Sequence, residues 1–252
     1  MSVDCEMING DATQLIEHIN GNVQTWIIDP PYNIGFKYDT HNDSMDQDDY
    51  NYFNHKIAKE MFHKTDDSGS MFYINYPEIC AVQLKEIQKA GWVLNQWLTW
   101  VYPCNFGFSN KRFTRASRAV LWFVKSENYY FNHTVKGEYK DPNDSRVKKY
   151  IKEGKKPRLF DWFEINLCKN TSKEYRGYKN QIPQKLLEIL ILNTSKPGDL
   201  IGDPCSGSGS TLITAKKHNR NSIGFELDKK AVDNFNQYLS ENKTLFEVVF
   251  CK

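Results

Sequence analysis

Apolar positions along the chain fall into short continuous runs, separated by segments in which they recur every three or four residues, and this alternation predicts strands and helices in turn. Residues 5–8 and 23–28 are strand candidates. Between them Gly10-Asp11 opens a helix over 12–19 that carries Leu15, Ile16 and Ile19 on one side. The second strand stops at Asp29-Pro30-Pro31-Tyr32, because adjacent prolines remove two backbone donors and fix two φ angles. Residues 33–49 are polar and acidic and predict a mobile loop. A helix over about 50–63, a strand over 70–75, a helix over about 77–90 and strands near 92–100 and 119–124 follow. The rhythm then fails over 126–178, where Asp141-Pro142-Asn143-Asp144 and Gly154-Lys155-Lys156-Pro157 mark turns, and the segment reads as a surface module added to a core. From Pro183 the pattern resumes with a helix to about 193, a strand over 199–202, a Gly-rich turn over 203–210, a helix over about 211–218, a strand over 222–225 and a helix over about 229–240. Strand, Gly-rich turn, helix, strand and acid is a nucleotide-binding layout of the α/β class.

Composition narrows the setting. With 252 residues, 40% of them hydrophobic, the chain has a core to bury, and no apolar run approaches the roughly 20 residues of a membrane helix. Residues 1–10 lack the basic and apolar regions of a secretory signal, so a soluble, intracellular chain is expected. The six cysteines are scattered without a Cys-x-x-Cys pair and the histidines lack ligand spacing, so neither disulfides nor a metal site is called for.

Charge changes the picture further. Residues 1–87 hold fifteen acids against five lysines, so the net +2 of the whole chain leaves +12 on the remainder. No acid occurs between Glu86 and Glu127, a window containing Lys111, Arg112, Arg115, Arg118 and Lys125, and residues 136–185 carry fourteen Lys or Arg against seven acids. These stretches are interleaved with Phe106, Phe108, Phe113, Tyr139, Tyr150, Phe160 and Trp162, a pattern suited to phosphate-contacting surfaces.

Two constellations carry chemistry. Gly202-Asp203-Pro204-Cys205-Ser206-Gly207-Ser208-Gly209-Ser210 ends a strand and opens a helix, yet lacks the third glycine of the dinucleotide fingerprint and the lysine of a phosphate loop. An acid in the turn repels phosphate and suits a cationic ammonium or sulfonium group, while Glu226 ends the next strand where ribose hydroxyls are received. S-adenosylmethionine fits both acids. In Asp29-Pro30-Pro31-Tyr32 the carboxylate and the Pro30 carbonyl are placed to accept hydrogen bonds from an exocyclic amine, and Tyr32 offers a flat face to a base.

Together Asp29-Pro30-Pro31-Tyr32-Asn33-Ile34-Gly35 and the turn from Asp203 to Ser210 resemble the amino-methyltransferases that methylate exocyclic amines of DNA bases, with the motif order of the β class. Gly10-Asp11 resembles the family's N-terminal cofactor motif, residues 117–126 its late core strand and Gly224-Phe225-Glu226-Leu227-Asp228 its ribose motif. Residues 178–183 retain only Gln181 and Pro183 of the family's segment before the cofactor strand, with Ile182 in place of Lys.

The resemblance implies a class I methyltransferase (Rossmann-like) fold, a seven-stranded, mostly parallel sheet circularly permuted so that the cofactor half is C-terminal. It divides the chain into a catalytic half over 1–125, a basic target-recognition insert over 126–178 and a cofactor half over 179–252. It implies S-adenosylmethionine as cofactor, held by Asp11, Asp29, Asp203, Cys205, Gly207, Gly209, Ser210 and Glu226. Asp29, Pro30 and Tyr32 are the expected catalytic residues, acting on N6 of a flipped-out adenine. The expected partner is double-stranded DNA, contacted by Lys111, Arg112, Arg115, Lys155 and Lys156, with a homodimer as the working assembly and any restriction endonuclease on a separate chain. N4-cytosine methylation, RNA methylation and an inactive nucleic-acid-binding subunit are the alternatives.

Overall fold

The computed structural model describes residues 3–33, 44–104, 110–138, 141–178 and 180–242. Most of the acidic loop, Ile34-Gly35 of the first motif, and Phe106, Phe108 and Tyr139 lie outside these residues. The described chain forms one eight-stranded sheet in the order β1-β8-β7-β2-β3-β5-β4-β6. The N-terminal half of the chain supplies β1 (Cys5–Asn9), β2 (Val23–Ile28), β3 (Thr65–Asn75), β4 (Val93–Val101) and β5 (Ser117–Val124). β6 (Trp162–Glu164), β7 (Leu200–Asp203) and β8 (Asn221–Glu226) come later in the chain, and β7 and β8 slot between β1 and β2. Pairing is parallel throughout except at β5, which runs antiparallel to both β3 and β4. This is the permuted α/β architecture expected from the sequence.

Period-two alternation sorts the side chains to two faces. Trp26 and Ile28 of β2, Met71 and Tyr73 of β3, and Leu121 and Phe123 of β5 meet α2 (Gln47–His63) and α3 (Pro77–Lys89). Ile27, Phe72, Ile74, Val120 and Trp122 face the other way and pack on α5 (Gln184–Thr194). Met7 of β1 joins Leu212 and Ile213 of α6 (Ser210–Lys217) and Val232 and Phe235 of α7 (Lys229–Glu241). Several helices start where the sequence supplies an acceptor for a free N–H group: Asp46 caps α2, Asp228 caps α7, and Asp11 caps the short α1 (Ala12–Leu15). The helix expected over 12–19 narrows after Leu15 into a 3-10 turn, Ile16–His18. Among the described residues no helix is long and apolar enough to cross a membrane.

One strand has no counterpart in the sequence pattern. Residues 126–178 contribute α4 (Ser145–Lys152) and also β6, which pairs with Thr99, Trp100 and Val101 of β4 and makes the sheet eight-stranded rather than seven-stranded. Three residues leave no readable periodicity, and only pairing with the edge of β4 defines them. Arg118 also departs from expectation: within the basic window it sits in β5 and is buried, not on a solvated face.

β7 packs closely on β2, since Gly202 is paired with Trp26 and a Cβ at position 202 would run into the indole. Gly202→Ala is therefore expected to destabilise the fold by about 1–3 kcal/mol through overpacking. Thermal unfolding without ligand should show the midpoint lowered by several degrees.

Candidate active site

Both chemical motifs emerge at the C-terminal edge of the parallel strands, the side on which open α/β sheets bind ligands. Asp29 follows β2 directly. Its Oδ1 accepts a hydrogen bond of 2.6 Å from the Tyr32 hydroxyl, closing the proline turn on itself. Tyr50 of α2 donates to the Pro31 carbonyl at 2.7 Å, and Asn33, with φ of 53°, clamps Met45 through its amide side chain. Tyr76, just after β3, stands edge-on to Tyr32 with ring centroids 4.7 Å apart. The turn is tied by contacts within the chain itself.

The Gly-rich turn after β7 is shaped by its own acids. The Cys205 N–H donates to Asp203 Oδ1 at 3.0 Å, and the Ser206 hydroxyl donates to the Asp203 carbonyl. Glu226 at the end of β8 accepts from the Gly207 N–H at 2.8 Å and the Asp228 N–H at 2.9 Å, so this side chain pins two turns as well as facing the cavity. Gly207 and Gly209 have φ of 49° and 70°, conformations that a side chain would strain. Arg176, from the segment before α5, donates to the Ser208 carbonyl and to Ser210 Oγ, strapping that segment over the turn.

A cavity of about 180 Å³ joins the two motifs. Asp11, Asp29, Pro30, Tyr32, Asp203, Cys205, Gly207, Ser210 and Glu226 all line it. Gly209 does not, since it caps α6 with Phe235 and Met7 packed where its Cβ would be. Tyr76, Tyr178 and Gln181 also line the cavity; Tyr178 and Gln181 belong to the 178–183 segment, while Tyr76 has no motif to mark it. Sequence reading also missed Arg118, whose Nη1 lies 3.8 Å from Asp29 Oδ2.

Charge sets the chemistry. Four carboxylates, of Asp11, Asp29, Asp203 and Glu226, surround the cavity, and no Lys or Arg is among its described lining residues. Burial, then the repulsion of these four acids, raises the Cys205 thiol well above its ordinary range, so it contributes a neutral contact. Burial raises Asp29 too, opposed by Arg118 and by the Tyr32 hydrogen bond. Burial above all, with Asp29 and Glu226 adding to it, pushes Asp203 up to about 7 despite the hydrogen bonds from Thr211 and Cys205. A site of this kind repels phosphate and favours a cation. S-adenosylmethionine fits: a cationic centre against the acids, and a flat adenosine against the apolar walls supplied by Phe53, Ile57, Phe225 and Leu227.

The expected DNA contacts lie elsewhere. Lys111, Arg112, Lys155 and Lys156 are exposed, with Lys155 paired to Glu153 at 2.7 Å. Arg115 is engaged by Glu78 and lies 3.6 Å from the Tyr76 ring centroid, which ties it to the wall of the site.

Comparison with known proteins bears on the same residues. Positions 23–237 match the family N6_N4_Mtase, described as DNA methylase. The chain is similar to the Type II methyltransferase M1.MboII of Moraxella bovis, 29% identical and covering 88% of this chain and 91% of that protein. It is 25% identical to the DNA adenine methyltransferase YhdJ of Escherichia coli, covering 90% of this chain and 79% of that one. Among solved structures it resembles an M1.HpyAVI complex with S-adenosylmethionine, at TM-score 0.66, 20% identity and coverage of 93% and 98% of the two chains. It also resembles the cytosine-N4-specific PvuII DNA methyltransferase, at TM-score 0.74, 18% identity and coverage of 98% and 93%.

The Asp203 shift has a sign that stability measurements read directly. A carboxyl whose pKa rises from the ordinary 3.8 to about 7 on folding favours the fold most below pH 4, and that contribution is lost as pH rises through 7. Asp203→Asn is therefore expected to be more stable than the wild type without ligand. The difference should be small at pH 4, grow towards pH 7 and level off above it at about 4 kcal/mol. Denaturant unfolding across this range checks it, and a constant difference would contradict the assignment.

Proposed function

The chain belongs to the N6_N4_Mtase family of DNA methylases and uses S-adenosylmethionine, and from that premise we propose that it methylates the exocyclic N6 amine of adenine in double-stranded DNA. The observation that carries this reading is the Asp29 carboxylate, held at the mouth of β2 by the Tyr32 hydroxyl and opening on the cavity shared with the Gly-rich turn. In the resembling β class the first motif residue is Asp in most adenine enzymes and Ser in many cytosine N4 enzymes. The relation to a DNA adenine methyltransferase supports the same choice.

The target amine is paired inside the duplex, so the adenine must swing out of the stack to reach the cavity. Asp29 then accepts a charge-assisted hydrogen bond from N6, and the Pro30 carbonyl accepts the second, drawing the nitrogen lone pair out of ring conjugation. Tyr32 occupies Asp29 Oδ1, which leaves Oδ2 for the amine. The cofactor supplies an electrophilic methyl group. As N6 becomes cationic its attraction to Asp29 grows, so the carboxylate stabilises the transition state more than the ground state. The amine proton leaves to solvent afterwards, and Asp29 acts as an electrostatic and orienting group rather than a strong base. On the cofactor side Asp203 and Glu226 meet the cationic and ribose ends, with Asp11, Cys205, Gly207 and Ser210 completing the wall and Gly209 supporting it from behind.

Residues 126–178 are assigned to target recognition between a catalytic half over 1–125 and a cofactor half over 179–252. Lys155 and Lys156, with Lys111 and Arg112 beside the fully exposed Phe113, are assigned to phosphates. Arg115, already met by Glu78, serves the Tyr76 wall instead.

Nucleoside analysis of DNA methylated by the protein should show N6-methyladenine, and Asp29→Ala should lower turnover by about 100-fold or more while cofactor binding persists. N4-methylcytosine as the product would overturn the substrate assignment, and full activity of the variant would overturn the mechanism. Binding to duplex DNA should weaken steeply with salt as condensed counterions are released. Reversing charge at Lys155 and Lys156 should reduce the slope of log affinity against log salt by about 1 for each phosphate no longer neutralised, with S-adenosylmethionine affinity unchanged. Fluorescence anisotropy over a salt series measures both, and salt-independent binding would refute the basic face.

A further inference from the structure

Arg118 is the feature of the site that neither the motifs nor the mechanism so far accounts for. It sits at the start of β5, the one strand of the described sheet that runs against the others, and is paired across the sheet with Trp100 of β4. That reversal brings an N-terminal strand residue to the edge where every other strand of the sheet ends. The side chain is 3% exposed. Its guanidinium carbon lies 5.0 Å from the Tyr32 ring, 5.2 Å from Trp100 and 5.9 Å from Tyr76, so aromatic faces enclose it. Among the described residues Nε and Nη1 have no hydrogen-bond acceptor, and the contact to Asp29 Oδ2 at 3.8 Å is an ion pair too long for a hydrogen bond.

A buried guanidinium with unmet donors is a costly way to fill space, and an apolar side chain of similar shape would pack there more cheaply. What an apolar residue would not provide is a positive charge behind the Asp29 carboxylate. The groups facing Asp29 are Tyr32 from its own turn, Cys80 from α3, Arg118 from β5, and Asp203 and Cys205 from the turn after β7, while Tyr50 of α2 holds the Pro31 carbonyl. Arg118 is the only cation in that set. Burial favours a neutral Asp29 carboxyl and Arg118 opposes it most; a neutral carboxyl would donate a proton where the amine must donate its own.

We propose that Arg118 is a positioning residue for methyl transfer: its buried guanidinium keeps the Asp29 carboxylate ionised and turned so that Oδ2 is available to the target amine. This rests on the assignment of Asp29 made above. Arg118 touches neither amine nor cofactor, since it lies behind Tyr32 and outside the cavity lining. Burial opposes its charge, but Tyr32 and Asp29 raise its pKa above the ordinary arginine value, so it stays protonated across the working range.

The test is the pH profile of single-turnover methylation with duplex DNA and S-adenosylmethionine, for the wild type, Arg118→Met, Arg118→Lys and Asp29→Asn. Loss of the cation lets Asp29 hold its proton to higher pH. Arg118→Met is therefore expected to lose roughly tenfold or more at pH 7 and to recover to within about threefold of wild type near pH 9, an upward displacement of the acid limb by about one unit or more. Its affinity for S-adenosylmethionine by calorimetry should stay within about threefold, and Arg118→Lys should keep the acid limb within about half a unit of wild type. If Arg118→Met does not fold, Arg118→Gln supplies the same comparison. A uniform loss at every pH, or an unmoved acid limb, while Asp29→Asn is inactive, overturns the role of Arg118 alone. Full activity of Asp29→Asn overturns the assignment of Asp29, and the role of Arg118 with it.

Discussion

Four carboxylates crowded around one cavity repel one another, and holding them there without a basic side chain among the described lining residues is the constraint that the rest of the site answers. The answer is distributed. Glu226 is held by two backbone N–H groups, Asp203 by the Cys205 N–H and Thr211, Asp11 by the Thr13 N–H, and Asp29 by the Tyr32 hydroxyl and the charge of Arg118. Each partner is a donor or a cation placed by a turn, a helix start or a strand end, so the geometry of these junctions and the charge of the site are one arrangement. A cationic ligand completes it, and phosphate is turned away from the cofactor pocket even though the chain as a whole is basic over its second half.

The sheet makes this possible by bringing distant segments to one edge. β7 and β8 enter between β1 and β2, so the Gly-rich turn of residues 203–210 stands next to Asp29 although about 170 residues separate them in the chain. The single reversed strand, β5, delivers Arg118 to the same edge from its N-terminal end. Arg176 and Gln181 then tie the segment leaving the basic insert to the Gly-rich turn, with Arg176 bonded to Ser208 and Ser210 and its own N–H received by Gln181. The part of the chain assigned to target recognition is thus in mechanical contact with the cofactor side of the cavity.

Much of this is legible in the residue pattern for identifiable reasons. β2 and β5 are almost wholly buried because both faces of a central strand are covered, and the apolar runs they carry, residues 26–28 and 119–124, are read without a partner. Asp29-Pro30-Pro31-Tyr32 and Asp203-Pro204-Cys205-Ser206-Gly207 are local devices, in which prolines, glycines and neighbouring acceptors set the backbone within a few residues, so their turns are legible without a distant partner. β6 is not legible, since three residues acquire strand geometry only from the edge of β4. Gly209 reads as a ligand contact because glycines in a turn look alike until Phe235 and Met7 are seen against one of them.

Arg115 and Arg118 mark the boundary most clearly. Three residues apart in a window with no acid, they read from sequence as one basic face, and the sequence by itself determined the α/β alternation, the two motifs and the excess of positive charge. Only the tertiary structure decided that Arg115 meets Glu78 and Tyr76 and that Arg118 is buried behind Asp29. The reason is that the environment of a charge depends on partners far away along the chain: Glu78 comes from α3 and Asp29 from β2, and the antiparallel entry of β5 brings both within reach. Local pattern specifies what a residue is able to do, and the packing of remote elements determines which of those capacities is used.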